Sequence, residues 1–565
     1  MTVIIGLNAL GFNTSACIMI NGKILAAVEE ERINREKKTR LFPEKSIEFC
    51  LKKANLKFRD IDHIAISWNP LINLEKFNKN ISSNNSYLPN ILHSSINYLI
   101  KNKKINKENM STNFKVDGKE IKIHFIQHHT CHASNVFFSN YKNAAVYTVD
   151  AFGENETSTL SLYKNSKLKK INKTFFPNSL GSFYSTFTEF CGFKPQSEEW
   201  KLMGASAYFR NEKIIKKINN LVTLKKNGSF ELDLNYFNHY QFHRPNYFNQ
   251  KLINYIGTRP RDPYSKKMKK IYYEIAYAAQ NTFEKIYFHQ IKYLYKISKV
   301  KNLVIAGGCA LNCLANGKIK KETGFSNIFI SPVPDDSGAC LGAASYLFKI
   351  ILNKKNKVKL SNYYLGPSFN STEVKKTLNK YQISYTISNN PEKSAATDIA
   401  NGKVIAWFQG GLEFGDRALG NRSILADPRN PKIKDIVNLK IKFREKFRPF
   451  APSIIENQAQ NYFEDFQKSE YMELALKFKS SRKKIIPGVV HVDGTGRLQT
   501  VNLKYNQRFY KLIKEFQKIS GEPMVLNTSF NVQGEPMVCS IDDAIKNFYL
   551  SGLDKLFICD IEITK

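Results

Sequence analysis

The chain has 565 residues, 42% of them hydrophobic and 13% aromatic, so it is long enough for two or three packed domains and too apolar for wholesale disorder. Its formal net charge of +36 suggests a nucleic-acid-binding protein. The excess, however, is mostly lysine spread through the whole chain, so nucleic-acid binding is a minor alternative. With nine cysteines but no C-x-x-C pair, no signal peptide and no apolar run of membrane-spanning length, the sequence predicts a cytoplasmic enzyme without a membrane partner.

Two distant stretches share one plan, in which a strand and a loop of small or polar residues precede a two-stranded hairpin. The first consists of strands at Val3–Leu7, Ala16–Ile20 and Lys23–Val28, with the hairpin turn at Asn21-Gly22. The second consists of Ala145–Val149, Ser158–Tyr163 and a return strand after the turn Asn165-Ser166. The repeat predicts an α/β fold with a duplicated domain. By analogy with actin-like (ASKHA or RNase H-like) and sugar-kinase-like folds, its paired loops are expected to face a shared cleft.

Between the two hairpin units lies a candidate metal site. His128 and His132 are four residues apart, so both imidazoles leave one face of a helix, and Asp150 follows the strand Ala145–Val149. Such a set supplies most of a metal's ligands. The alternative is a pair of core or surface histidines. The glutamate of H-E-x-x-H is missing, which excludes that class of zinc protease.

Two later features belong to the same N-terminal region. Asp336 begins a helix of small residues, where an aspartate is either a helix cap or a ligand. Gly307 and Gly308 end a strand at Leu303–Ile305, an arrangement that lets a backbone approach a phosphate or a nucleotide. The sequence there is neither a Walker A motif nor G-x-G-x-x-G, so the glycine pair alone is weak evidence.

After a lysine-rich linker at residues 352–362, a second α/β region carries many arginines. They lie in residues 410–453 among glycines and aromatics: Arg417, Arg422, Arg429, Lys442, Arg444 and Arg448. Guanidinium groups on rigid turns suit a triphosphate or an acyl phosphate, and the alternative is a solvated basic surface. Further on, Arg497, Ser529 and Asn531 add a cation, a hydroxyl and an amide that suit phosphate oxygens.

Taken in order, these motifs resemble the NodU/CmcH-type O-carbamoyltransferases, which modify antibiotics, nodulation factors and other natural products. The resemblance rests on segments spread along nearly the whole chain: EEERINREKK, HHTCHA, VDAFGE, NSLGSFYSTFTEFCGF, WKLMGASAY, GGCALNCLANG, PDDSGACLGAA, EFGDRALGNRSILADPRNP, KFREKFRPFAPS and LNTSFNVQGEP. Any one of them is unspecific, whereas their order makes the match specific.

The resemblance implies a division of labour between two domains. Residues 363–565 would form a domain similar to threonylcarbamoyl-adenylate synthase, which makes carbamoyl-adenylate from carbamoyl phosphate and ATP with Mg(2+). Residues 1–355 would form the actin-like domain, which passes the carbamoyl group to a hydroxyl of a sugar or natural product. The resemblance also implies a divalent metal ion of the iron type, Fe(2+), held by His128, His132, Asp150 and Asp336.

The remaining site residues follow from the same resemblance. Those expected to bind the nucleotide or carbamoyl phosphate are Gly307, Gly308, Asn312, Arg417, Lys442, Arg444, Arg448, Arg497, Ser529 and Asn531. Lys37 is expected near the reactive group in the N-terminal domain. Family members carry a His-Asp pair in the first loop where this chain has Phe12 and Asn13, so Asn13 is expected to orient the acceptor while another group or a water takes its proton. An actin-like kinase is the alternative enzyme, and a homodimer is left open.

Overall fold

The structure, a computed structural model, describes residues 1–9, 11–70, 109–241, 244–265, 267–445 and 447–565. The chain forms two compact units. The N-terminal unit comprises Met1–Ala26 and Arg40–Leu360, and the C-terminal unit comprises Ala27–Thr39 and Ser361–Lys565. Both units mix helices and strands, so the predicted α/β class is confirmed.

The first sheet of the N-terminal unit has the strand order β3-β2-β1-β4-β6-β5. Its strands are β1 (Val3–Asn8), β2 (Ser15–Ile20), β3 (Lys23–Glu29), β4 (His63–Ile66), β5 (Asn109–Val116) and β6 (Lys119–Ile126). β1 pairs antiparallel with β2 and parallel with β4. The hairpin turn is the predicted one, because Asn21 and Gly22 both have positive φ angles, 48° and 87°, as a type I′ turn requires.

The second sheet of this unit has the order β13-β12-β7-β8-β9. Its strands are β7 (Ala144–Val149), β8 (Glu156–Lys164), β9 (Lys167–Phe175), β12 (Asn302–Ala306) and β13 (Asn327–Ile330). β7, β8 and β9 form an antiparallel meander, and β12 is parallel to β7. Since the first sheet likewise places a meander beside a parallel strand, the repeat predicted from the sequence is confirmed in the topology. The actin-like assignment built on that repeat stays a prediction.

Helices cover these sheets. In the N-terminal unit they are α2 (Glu44–Ala54), α3 (His128–Ala133), α4 (Leu180–Phe190), α5 (Glu199–Ala205), α6 (Glu212–Asn219), α7 (Gln250–Ile256), α8 (Lys270–Ser298), α9 (Cys313–Glu322) and α10 (Ala339–Tyr346); α1 (Glu30–Asn34) belongs to the C-terminal unit. A small hairpin, β10 (Val222–Leu224) and β11 (Phe230–Leu232), precedes α7. α10 packs on both β1 and α3, and its small residues permit this: a Cβ built on Gly342 would lie 1.9 Å from the Cys131 carbonyl oxygen.

The C-terminal unit is built on one sheet of order β14-β22-β21-β15-β16-β20-β17-β19-β18. The strands are β14 (Thr386–Ile387), β15 (Ile405–Phe408), β16 (Arg422–Ala426), β17 (Ala451–Ile455), β18 (Leu474–Lys477), β19 (Thr495–Val501), β20 (Met524–Ser529), β21 (Lys555–Ile558) and β22 (Ile561–Thr564). The helices are α11 (Ser371–Lys380), α12 (Pro391–Ala400), α13 (Ile433–Ile436), α14 (Ser480–Lys483), α15 (Gln507–Ser520) and α16 (Ile541–Tyr549). α12 and α15 bury Ile399, Phe509 and Phe516 against Trp407 of β15, which forms the core.

The predicted boundary of the first domain, residues 1–355, is wrong for one segment. Residues 27–39 pack within the C-terminal unit. The Glu29 carboxylate accepts the Gly415 N–H at 2.9 Å, and Arg35 donates to the carbonyl oxygens of Pro536 and Met537 at 2.9 and 2.7 Å. Because these partners lie hundreds of residues away in sequence, nothing in the local pattern of residues 27–39 reveals them. Within the described part of the chain, no helix has the length and apolarity needed to span a membrane.

Candidate metal centre and anion site

Four predicted side chains meet in the N-terminal unit. His128, His132, Asp150 and Asp336 each direct one nitrogen or oxygen to a common point, and these atoms all lie within 4.8 Å of one another. The two Nε2 atoms are 3.0 Å apart, His132 Nε2 is 3.2 Å from Asp150 Oδ2, and His128 Nε2 is 3.4 Å from Asp336 Oδ1. Both histidines are buried, and Asp336 is the most exposed of the four, at 22% of its side chain. The sequence therefore identified a real cluster.

Each ligand is placed by the end of a secondary-structure element. The two histidines occupy successive turns of α3, Asp150 directly follows β7, and Asp336 begins the turn before α10. The backbone N–H of Gly308 donates to Asp150 Oδ2 at 3.0 Å. Gly307 precedes it with φ of 99°, and a Cβ there would lie 2.2 Å from the Val149 carbonyl oxygen, so only glycine fits.

The ring nitrogens and charges of this cluster suit a cation. His128 Nδ1 lies 3.3 Å from the Ser67 carbonyl oxygen, which can accept a proton from Nδ1 and so leave Nε2 to face a cation. Burial disfavours the charged imidazole, yet Asp336 and Asp150 together raise the pKa of His128 well above its usual value. Burial likewise opposes ionisation of Asp150, but hydrogen bonds from His128 and His132 lower its pKa well below the usual value. Two imidazoles and two carboxylates at this spacing fit a divalent transition metal.

The first loop lies against this cluster. Asn13 Nδ2 donates to Asp335 Oδ2 at 2.7 Å, one residue before the ligand Asp336. Asn13 is buried in the left-handed region, with φ of 51°, and its Oδ1 has no hydrogen-bond partner among the described residues. A Cβ built on Gly11 would lie 3.6 Å from Asp336 Oδ2. The structure thus places Asn13 beside the cluster, and its catalytic role stays a prediction.

The structure gives two of the predicted nucleotide-binding residues other partners. Asn312 caps α9 by accepting the Ala315 N–H at 3.1 Å. Its amide also exchanges hydrogen bonds with Gln280, at 2.9 and 3.1 Å. Gly308 faces Asp150, as described above. For these residues the strand–glycine–helix pattern reflects the support of a ligand aspartate and a helix cap, and nucleotide binding by Gly307, Gly308 and Asn312 stays a prediction.

A second cluster, in the C-terminal unit, gathers positive charge. Lys442 is only 3% exposed, and its Nζ donates to the backbone oxygens and side chains of Ser529 and Asn531, with 2.7 Å to Asn531 Oδ1. Burial, followed by the charges of Arg444, Arg448 and Lys37, lowers the pKa of Lys442 well below its usual value.

Arg444 and its neighbours extend this cation cluster. Burial, together with the charges of Arg448 and Arg497, lowers the pKa of Arg444 despite the opposing effect of Glu445. Arg444 Nε donates to Asn438 Oδ1 at 2.7 Å, whereas its Nη2 is buried without a hydrogen-bond partner in the described chain. A buried guanidinium among other cations, with a donor left over, is suited to an anionic ligand.

Lys37 belongs to this cluster, which corrects its predicted place in the N-terminal domain. It lies in the segment 27–39 of the C-terminal unit, and it contributes to the lowered pKa values of both Lys442 and Asp416. Burial opposes the ionised form of Asp416, and four cations outweigh burial: Lys38, Arg417, Arg32 and Lys37. Arg417 is the chain neighbour of Asp416, and its predicted nucleotide binding stays a prediction. Desolvation lowers the pKa of Lys37 itself, although the residue is exposed.

Two arginines of the predicted constellation have structural roles instead. Arg422 is completely buried, stacks 3.6 Å over the Phe408 ring, and donates to backbone carbonyls that include Gln409 at 2.6 Å. Arg429 forms a hydrogen-bonded ion pair with Asp427 at 2.7 Å. Composition alone does not separate these arginines from Arg444, because the difference lies in the partners of their Nη groups. Both Nη groups of Arg422 and of Arg429 have acceptors, whereas Arg444 Nη2 has none among the described residues; Arg422 Nε also lacks an acceptor there.

Sequence reasoning missed two sets of buried acids. Glu29 and Glu31 flank Arg32 within the C-terminal unit, with N–O distances of 3.2 and 2.9 Å, and all three are at most 7% exposed. Glu154, which is 4% exposed, accepts the backbone N–H of His128 at 2.9 Å. The sequence feature that could have pointed to Glu154 is its position, four residues after Asp150 in the same loop.

Comparison with known proteins covers both units. A family profile described as the carbamoyltransferase N-terminus matches residues 3–345, and one described as the carbamoyltransferase C-terminus matches residues 396–565. The nodulation protein NolNO of Sinorhizobium fredii is 31% identical, over 99% of this chain and 80% of the relative. An uncharacterized protein of Synechocystis, sll1178, is 34% identical, over 100% of this chain and 97% of the relative.

Solved structures give a weaker likeness. Component A of (R)-2-hydroxyglutaryl-CoA dehydratase from Acidaminococcus fermentans is 15% identical and covers 62% of this chain and 98% of its own, with a TM-score of 0.33. At that score the likeness carries no argument about fold or ligand. The family profiles span both units, and on that evidence the chain belongs to the carbamoyltransferase family and is a carbamoyltransferase.

Proposed function

We propose that this carbamoyltransferase is an ATP-dependent O-carbamoyltransferase that works in two steps, one in each unit. The observation that carries the proposal is the opposite chemistry of the two clusters. The N-terminal unit gathers two imidazoles and two carboxylates, whereas the C-terminal unit gathers cations around the buried Lys442. One cluster suits a metal cation and the other suits phosphate groups.

In the C-terminal unit, the carbamoyl group of carbamoyl phosphate is joined to the α-phosphate of ATP. Water takes up the phosphoryl group of carbamoyl phosphate, so carbamoyl-adenylate, phosphate and pyrophosphate are formed. Both substrates are polyanions, and Mg(2+) accompanies ATP. The negative charge of the two substrates is offset by five cations: Lys442, Arg444, Arg448, Arg497 and Lys37. The unpaired Nη2 of Arg444 is available to a phosphate oxygen.

In the N-terminal unit, the carbamoyl group passes to a hydroxyl of a small-molecule acceptor, a sugar or a natural product, and AMP leaves. His128, His132, Asp150 and Asp336 would hold the metal, for which we propose Fe(2+); when bound, it supplies Lewis-acid polarisation. Asn13, held by Asp335 at 2.7 Å, presents its free Oδ1 to orient the acceptor hydroxyl. An amide cannot accept the hydroxyl proton, so water or another group removes it.

Two substitutions separate the proposed steps. We expect Arg448→Met to reduce pyrophosphate release from ATP and carbamoyl phosphate at least tenfold, while bound iron is unchanged. His132→Ala should lose the iron and the carbamoylated product but keep pyrophosphate release. Arg429→Met, which alters an arginine paired to Asp427 at 2.7 Å, is the matched control for Arg448→Met and should keep all three.

The proposal fails if the wild-type protein releases no pyrophosphate when both substrates are present. Formation of ADP instead of AMP would favour the actin-like kinase. Iron content is measured by elemental analysis, the nucleotides by chromatography, and the carbamoylated acceptor by the mass gain in an extract that contains candidate hydroxylated small molecules.

A further inference from the structure

A buried carboxylate lies behind the metal-binding histidines without belonging to the ligand set. Glu154 occupies the loop between β7 and β8, the loop that also supplies Asp150, and it is 4% exposed. Its Oε1 accepts the backbone N–H of His128 at 2.9 Å, and its Oε2 lies 3.2 Å from the same nitrogen. The carboxylate therefore binds the first N–H of α3, the helix that carries both histidines.

That N–H has no substitute partner within its own helix. The first N–H groups of a helix need an acceptor from outside the helix. Gln127, which precedes α3, supplies no side-chain cap, because its Oε1 accepts from Lys170 and from Thr130. Glu154 is thus the acceptor that fixes where α3 begins, and it fixes the backbone of His128 in particular.

The same carboxylate also binds a second segment, which contacts the imidazole of His128. Glu154 Oε1 also accepts the backbone N–H of Asn69 at 2.8 Å. Asn69 is two residues after Ser67, whose carbonyl oxygen lies 3.3 Å from His128 Nδ1. One carboxylate therefore anchors both the backbone of His128 and the loop whose carbonyl oxygen faces Nδ1 of that imidazole.

We infer that Glu154 is a positioning residue that holds His128 with Nε2 directed at the metal. The inference rests on the metal binding proposed above for His128, His132, Asp150 and Asp336. Groups of this kind, one step behind the ligands, set ring orientation and tautomer, and their loss typically weakens metal binding about 10- to 100-fold. A carboxylate serves here because both of its oxygens accept, whereas an amide would turn an NH2 group towards one of the backbone donors.

The test measures Co(2+) binding to the full chain, stripped of metal, by calorimetry and by the visible spectrum of the bound ion. We expect Glu154→Gln to raise the dissociation constant at least tenfold. Glu154→Asp, which keeps the charge but shortens the reach by one methylene, should give an intermediate value. The matched control is Asp62→Asn in the same unit. Asp62 also accepts a backbone N–H, that of Val3 at 2.8 Å, but it is not part of the metal cluster, so this variant should bind Co(2+) like the wild type.

Two further measurements distinguish positioning from general stability. With Zn(2+) bound, nitrogen chemical shifts of labelled histidine should show His128 coordinated through Nε2 in the wild type and only partly coordinated in Glu154→Gln. Wild-type Co(2+) affinity in either Glu154 variant overturns the inference, as does a lower unfolding temperature with an unchanged dissociation constant. If the wild type itself binds no Co(2+), the metal-site proposal fails instead.

Discussion

Replacing Arg32 by methionine tests whether residues 27–39 belong energetically to the C-terminal unit. Arg32 is 4% exposed and contacts two buried carboxylates: its Nε is 3.2 Å from Glu29 Oε2, and its Nη1 is 2.9 Å from Glu31 Oε1. Its Nη2 also donates to the Gly415 carbonyl oxygen at 2.9 Å. Methionine fills most of the volume but leaves both carboxylates without their counterion.

The expected loss is large because the carboxylates cannot reach water. Removing one partner of a buried ion pair typically costs about 3–5 kcal/mol, since the remaining charge stays desolvated. Burial already raises the pKa of Glu29, against the opposing effect of Arg32. An acid with a raised pKa in the folded state binds more protons folded than unfolded, so its contribution to stability is lost as pH rises through that pKa. Without Arg32 this pKa rises further, and we therefore expect a smaller loss at pH 5 than at pH 8.

The three tryptophans make the assay specific for each unit. Trp407 lies in the core of the C-terminal unit, whereas Trp68 and Trp200 lie in the N-terminal unit. In a background where those two are phenylalanine, urea unfolding followed by Trp407 fluorescence reports the C-terminal unit alone. Arg32→Met should shift that transition. In the converse background, where only Trp407 is phenylalanine, the transition of the N-terminal unit should be unchanged. Equal losses at pH 5 and pH 8, or a shift confined to the N-terminal unit, would refute the reasoning.

Two other predictions concern the anion site and the first loop. Burial and neighbouring cations lower the pKa values of Lys442 and Arg444, so the unfolded state binds more protons, and the C-terminal unit should become more stable as pH rises towards the ordinary lysine pKa. Urea unfolding followed by Trp407 fluorescence should show this rise of the unfolding free energy with pH, and inorganic pyrophosphate should reduce it. An unfolding free energy that does not change with pH in the absence of pyrophosphate would contradict the lowered pKa values. Asn13→Ala removes the hydrogen bond to Asp335, and hydrogen bonds to charged groups contribute about 1.5–3 kcal/mol. Carbamoyl transfer should therefore slow about 10- to 100-fold with iron content and pyrophosphate release unchanged, and loss of iron would assign Asn13 a structural role instead.

Local sequence predicted those parts of the fold that local physics determines. Asn21-Gly22 specified its hairpin because both residues tolerate positive φ, and the i,i+4 spacing of His128 and His132 placed both rings on one helix face. Asp150 was recognisable because a strand ends directly before it. In each case the residues that determine the geometry are near one another in the chain.

The parts that escaped prediction depend on partners distant in sequence. Segment 27–39 leaves its sequence neighbours because Glu29 and Arg32 meet Gly415, nearly four hundred residues later. The charge run EEER at residues 29–32 does not by itself indicate whether it lies in water or in a core. Glu154 escaped for a related reason, since its two partners are backbone N–H groups, which no side-chain motif records.

The arginines show how structure separates a binding residue from a supporting one. Arg422 and Arg444 occur in similar glycine- and phenylalanine-rich sequence, and each stacks on a phenylalanine ring, at 3.6 and 4.5 Å. Arg422 donates both Nη groups to backbone carbonyls, although its Nε has no acceptor in the described chain, and Glu413 offsets part of its charge. Arg444 keeps a buried Nη2 without a partner, and its neighbours Arg448 and Arg497 add to its charge. Buried charge of one sign is costly unless a ligand of the opposite sign offsets it. The same reasoning, with the sign reversed, supports the cation proposed for Asp150 and Asp336, so the charges of the two clusters favour a different kind of ligand in each unit.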